Sequence, residues 1–93
     1  MSEKIKVIIV EDEPLARSGL EAYVKDVDFL QLIEVCENAM EANNALHKHK
    51  PQLMFLDIEM PRLTGIEFLK SLQNPPMVIF TTAYPTFASG RSG

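Results

Sequence analysis

A doubly wound α/β fold on a parallel sheet is predicted by three observations. Four short apolar runs alternate with stretches whose apolar residues recur at helical spacing. Prolines, asparagines and acids punctuate the changes from one pattern to the other. Acids or hydroxyls follow the first, third and fourth runs. The first two features give the order β-α-β-α-β-α-β. Such alternation implies parallel strands, right-handed crossovers and helices on both faces. The third feature gathers polar chemistry along one edge of that sheet.

Ile5 to Val10 (IKVIIV) is a β-branched run bounded by acids and Pro14, and it reads as a buried strand. Pro14 suits the first turn of a helix, with Glu13 just outside it near the positive end of the helix dipole. Leu15, Ala16, Gly19, Leu20, Tyr23, Val24 and Val27 form a stripe that gives a helix over Pro14 to Val27. Leu30 to Cys36 (LQLIEVC) is a second strand. Asn38 caps a helix through Ala39, Met40, Ala42, Ala45 and Leu46, and Pro51 ends that stretch. Leu53 to Leu56 (LMFL) is a third strand. After the turn-like IEMPRLTG, Thr64 and Gly65 open a helix with Ile66, Phe68, Leu69 and Leu72 on its inner side. The NPP of Asn74 to Pro76 breaks it. Met77 to Thr81 (MVIFT) is a fourth strand. No repeat or low-complexity block interrupts the series, and composition changes only at the terminal ASGRSG.

The chain has 93 residues, 46% of them hydrophobic and 24% charged, which suits one domain with a modest core. A net charge of -4 argues against nucleic-acid or anionic-membrane binding by this chain itself. No apolar run approaches the roughly 20 residues of a membrane helix. Nothing marks export, so the cytoplasm is the expected compartment. Cys36 cannot make an internal disulfide and reads as a buried thiol. His47 and His49 lie two apart on a helix and so face different directions; they read as solvated side chains rather than a metal pair.

In an open parallel sheet, ligands gather beyond the carboxyl ends of the strands. Glu11, Asp12 and Glu13 follow the first strand, Asp57 and then Glu59 follow the third, and Thr81, Thr82 and Ala83 follow the fourth. Carboxylates held within a few ångström repel one another, and one takes up a proton unless a cation intervenes. All-oxygen ligands with room for water suit Mg²⁺ or Mn²⁺. The first turn has no glycine-rich loop and sets acids where a dinucleotide's phosphates would lie, which disfavours a nucleotide cradle.

VEDEP, FLDIEMPRLTGIEFL and VIFTTAY, in that order and spacing, resemble the receiver domain of two-component response regulators. The likeness spans Lys4 to Ala88, with Ser89 to Gly93 reading as a linker or non-native tail. TTAYPTFA further resembles the subgroup whose receivers precede a LytTR-type DNA-binding domain. The resemblance implies a flavodoxin-like (CheY-like) sheet of order 2-1-3-4. It also implies a cytoplasmic signalling switch rather than an enzyme. Asp57 would be the phosphoacceptor for a sensor histidine kinase. Asp12 would bind Mg²⁺ (or Mn²⁺) directly, Glu11 mainly through water, Asp57 as a further ligand, and Glu59 through its backbone carbonyl. Glu11 departs mildly from the family's usual aspartate pair. Thr82 matches the switch hydroxyl, with Thr81 its competitor, and Glu13 is only a helix-start acid.

Three further expectations follow. The pattern's fifth strand, with its lysine, and fifth helix are not in this sequence, and no Lys follows Lys70. That leaves the fourth strand as a bare edge and predicts self-association through it. Two rivals remain: a Mg²⁺-dependent phosphatase of the haloacid-dehalogenase type, whose D-x-D signature LDIE resembles, and a degenerate interaction module that takes no phosphate.

Overall fold

The computed structural model describes residues 3–81. The elements run β1 (Ile5–Val10), α1 (Pro14–Lys25), β2 (Leu30–Cys36), α2 (Ala39–His49), β3 (Leu53–Asp57), α3 (Gly65–Lys70) and β4 (Met77–Thr81). All three strand pairings are parallel, and the order is β2-β1-β3-β4. β1 and β3, the apolar runs flanked by strands on both sides, lie at the centre. A register shift after Val7 sets Ile8 opposite Glu34, so the β1–β2 pairing skips Ile33.

The period of two along β1 divides the core. Val7 and Ile9 pack on one face with Val24 of α1, Leu30, Leu53 and Phe55. Ile8 and Val10 pack on the other with Ala42 and Ala45 of α2, Met54, Leu56, Met60 and Phe68 of α3. The predicted double winding is therefore present. Each helix starts on a side chain that satisfies its first N–H groups: Glu13 for α1, Asn38 for α2, and a reciprocal Thr64–Glu67 capping box for α3. α2 stops at Lys50, which takes a left-handed conformation (φ 49°) before the buried Pro51.

Several expectations need correction. α1 ends at Lys25 rather than Val27, and Ile66, expected on the inner side of α3, is 45% exposed. The α1 stripe is narrower than its spacing suggests: Val24 is buried, but Leu15 is 81% exposed and Tyr23 58%. Tyr23 still reaches the sheet with its ring, edge-on to Phe55 at 6.4 Å between centroids, whereas Leu15 lies largely in solvent. His49 is also not a freely solvated side chain. Its Nε2 lies 3.0 Å from Glu34 Oε1 and ties the end of α2 to β2. Cys36 is buried as expected, and burial, with Glu34 and Glu41 near, pushes its thiol up to about 12. Among the described residues no helix is long and apolar enough to cross a membrane. Thr82, Ala83 and the tail lie outside the described residues.

Candidate functional site

The strands that carry the core also deliver the acids. β1 is buried from Val7 through Val10, and the chain continues into Glu11, which is 0% exposed. The backbone N–H of Glu11 still donates to the Cys36 carbonyl at 3.0 Å, so the acid is fixed as firmly as the strand before it. β3 is buried throughout and ends in Asp57, which is 1% exposed. The N–H of Ile58 donates to the Thr81 carbonyl at 3.0 Å, and Asp57 is the register partner of Thr81. Glu11, half-buried Asp12 and Asp57 each bring a carboxylate oxygen within 4.8 Å of the others.

Hydrogen bonds leave these carboxylates half satisfied. Glu11 Oε2 accepts from the Glu13 N–H at 3.2 Å, and Asp57 Oδ1 accepts from the Glu59 N–H at 3.0 Å. Glu11 Oε1, Asp57 Oδ2 and Thr81 Oγ1 are buried with no hydrogen-bond partner among the described residues. A buried oxygen without a donor costs free energy, and two facing carboxylates cost more. A shared proton is one remedy. Burial, then contact with Asp57, pushes Glu11 up to about 7. Burial also raises Asp57, while the Glu59 N–H opposes that rise. A divalent cation is the other remedy, and an all-carboxylate set with orphaned oxygens fits one.

Sequence reasoning placed Glu11, Asp12 and Asp57 together, and the fold brings them together. Glu13 is a helix cap: its Oε1 accepts from the Leu15 and Ala16 N–H groups, both at 3.0 Å. Glu59 is exposed and meets Asp57 through its backbone N–H. Gly65 has a reason that the sequence did not state. A Cβ there would collide with the backbone carbonyl of Asp57, so the loop can fold back under the acid only with glycine. Arg17 went unremarked in the sequence, yet its Nη1 donates to the carbonyls of Glu11 at 3.1 Å and Asp12 at 3.3 Å. The available signal was an arginine one helical turn beyond an acid loop.

Comparison with known proteins places this geometry in a family. The response regulator receiver domain matches residues 7–89. The transcriptional regulatory protein BtsR of Salmonella typhi is 43% identical over 86 residues, covering 90% of this chain and 36% of the relative. BtsR of Escherichia coli K12 is 41% identical with the same coverage, so the chain spans little more than a third of these curated relatives. Among solved structures, the response regulator domain of Thermotoga maritima CheB superposes with a TM-score of 0.79 at 28% identity, over 89% of this chain and 63% of that one. The receiver domain of Erythrobacter litoralis PhyR gives a TM-score of 0.75 at 30% identity, over 97% and 73%. A four-stranded sheet of order 2-1-3-4 with an acid cluster beyond β1 and β3, matched along most of its length, identifies the chain as a member of the response regulator receiver domain family, part of the two-component systems.

Proposed function

We propose that the domain accepts a phosphoryl group on Asp57 from the phosphohistidine of a sensor histidine kinase. The observation that carries this reading is the half-satisfied carboxylate of Asp57. Its Oδ1 is held by the Glu59 N–H, while Oδ2 is buried at the sheet edge without a partner among the described residues. Oδ2 attacks phosphorus, the new O–P bond forms, the P–N bond to the histidine breaks, and the imidazole leaves with the bonding pair. Glu11, Asp12 and Asp57, with the backbone carbonyl of Glu59, would hold Mg²⁺ or Mn²⁺. That cation supplies the charge that keeps Asp57 ionised and offsets the phosphoryl oxygens. Thr82 takes the part of the switch hydroxyl. The domain acts as a regulatory phosphoacceptor, and the relatives' description as transcriptional regulatory proteins supports an output in transcription.

Acetyl phosphate with Mg²⁺ tests the reading. A slowly decaying acyl phosphate, absent in Asp57→Asn, is the expected outcome. An amide cannot attack phosphorus, and losing one crowded charge leaves the metal-free fold at least as stable. Equal labelling of Asp57→Asn removes Asp57 from the role. Sustained turnover of phosphoesters would mark a phosphatase instead, and no labelling of the unsubstituted chain would mark a degenerate module.

A self-association is proposed with it. β4 pairs only with β3 among the described residues, and Met77, Ile79 and Phe80 are 72%, 44% and 39% exposed. Those apolar side chains on an outer strand support pairing with a second copy. Sedimentation equilibrium should show a dimer at tens of micromolar, and a folded monomer there defeats the idea.

A further inference from the structure

Arg17 lies outside the acid cluster, yet it grips the loop that presents it. Nη1 donates to two successive carbonyls, those of Glu11 and Asp12, at 3.1 and 3.3 Å. Nη2 lies 3.7 Å from Glu37 Oε2, just past the end of β2. The side chain is only 20% exposed. Fixing so long a side chain costs rotamer entropy that a solvated arginine keeps.

The two carbonyls belong to the peptide planes on either side of the Asp12 Cα. Each plane is rigid, so holding both fixes φ and ψ of Asp12 and with them the direction of its Cα–Cβ bond. Among the described residues no N–H group donates to the Asp12 carboxylate, whose side-chain neighbour is Asp57 itself. Its aim toward Glu11 and Asp57 is therefore set through its backbone. The guanidinium turns to these two carbonyls and to Glu37, and to none of the three clustered carboxylates.

We infer that Arg17 is a positioning residue of the metal seat, fixing the backbone of Asp12 so that its carboxylate faces Asp57. The inference rests on the reading that Glu11, Asp12 and Asp57 bind a divalent cation. It makes a prediction of opposite sign to simple electrostatics. A positive charge beside the seat opposes a cation, so removing it should tighten binding if charge were its only effect. Removing a positioning group should weaken binding.

Mn²⁺ titration of the full chain, followed by calorimetry, decides between these. Arg17→Ala is expected to weaken Mn²⁺ by about tenfold, the scale seen when a group that orients metal ligands is lost. Arg17→Lys keeps the charge and stem but offers a point charge in place of the planar fork, so it should restore little. It also carries the test if Arg17→Ala fails to fold. Val24→Ala, a core change beneath α1 away from the loop, should lower stability and leave Mn²⁺ affinity unchanged. Unchanged or tighter binding in both Arg17 variants, with weak binding in Asp12→Ala, overturns the role of Arg17 and leaves the metal reading intact. A loss in Val24→Ala equal to that in Arg17→Ala overturns it as well, because affinity would then track stability. Full binding by Asp12→Ala removes the metal reading itself.

Discussion

At the amino ends of the strands, Gln52 joins β1, β3 and β4. Its side-chain oxygen accepts from the Lys6 N–H at 3.0 Å, and its own N–H donates to the Lys6 carbonyl at 2.9 Å. Its carbonyl accepts from the Met77 N–H at 3.1 Å. At their carboxyl ends the same three strands deliver Glu11, Asp57 and Thr81, each with a buried oxygen that lacks a partner among the described residues. One end closes its hydrogen bonds within the fold, and the other leaves three buried oxygens open among the described residues. Buried orphans of this kind are few in native folds and call for a physical cause, of which a bound ion is one. Substitutions at the amino ends should therefore change stability alone, whereas those at the carboxyl ends should reach the chemistry wherever they touch the acid cluster or the loop that holds Asp57.

The largest expected effect is at Gly65. A methyl group there meets the Asp57 carbonyl, which is backbone inside the sheet and cannot step aside cheaply. Gly65→Ala should cost about 3 kcal/mol in urea unfolding, the upper end of overpacking penalties. It should also depress acetyl phosphate labelling, because the loop that holds Asp57 must shift. Normal labelling in a destabilised Gly65→Ala would show that the acid is held independently of that loop.

Next is pH. Glu11 is pushed from 4.5 up to about 7, and Asp57 is also raised. Both shifts are upward, so the folded metal-free protein holds protons that the unfolded chain has released. Their stabilisation is fully present below the ordinary carboxylate range and is lost as pH rises through about 7. Metal-free protein should thus be less stable at pH 8 than at pH 5, by on the order of 2 kcal/mol. Mg²⁺ at 100 times its Kd should add about 2.7 kcal/mol at pH 8 and much less at pH 5. Chemical denaturation in EDTA and in Mg²⁺ measures both. A flat metal-free profile would mean that the acids are better hydrated than their burial implies.

Glu13 sharpens the contrast within a single loop. It caps α1 and lies outside the acid cluster. Glu13→Ala should cost about 1 kcal/mol, as lost caps do, with Mg²⁺ affinity nearly unchanged. Asp12→Ala should do the reverse, weakening Mg²⁺ markedly at little cost to the fold. Equal effects on affinity would reduce the three acids to a solvated loop.

How much of this was legible depends on how local the signal was. The bounds of β1 stand in the sequence because a β-branched run ends at once in acids and a proline; β2 ends before Glu37 and Asn38, and β4 starts directly after Pro76. The acid cluster of Glu11, Asp12 and Asp57 stands there too, because a parallel sheet brings the ends of β1 and β3 to one edge. Pairings between elements left no such trace. Nothing in the spacing links His49 to Glu34, and nothing shows that Arg17 turns back onto two carbonyls. The exposure of Leu15 depends on where α1 crosses the sheet, which periodicity does not encode. Gly65 was visible as a turn residue, but its reason is a carbonyl that arrives only when β3 and the loop are in place.

The smallest effect belongs to Gln52. Its side chain contributes one exposed hydrogen bond, and water can replace the lost acceptor, so Gln52→Ala should cost about 0.5 kcal/mol. The site should not notice. Lys6, the partner, is separated from Glu11 by five residues of extended chain at about 3.3 Å each, or about 16 Å. That exceeds the Debye length of about 8 Å at physiological salt, so even a new charge is screened from the acids. Gln52→Glu extends the test, since it adds a carboxylate at the amino end without changing the length of the side chain. Both variants should bind Mg²⁺ and take phosphate as the unsubstituted domain does, with only a small shift in the urea midpoint. An Mg²⁺ affinity in Gln52→Glu that changes severalfold and persists at high salt would mean that strain, rather than charge, passes along β1. The two ends of the sheet would then be one mechanical unit.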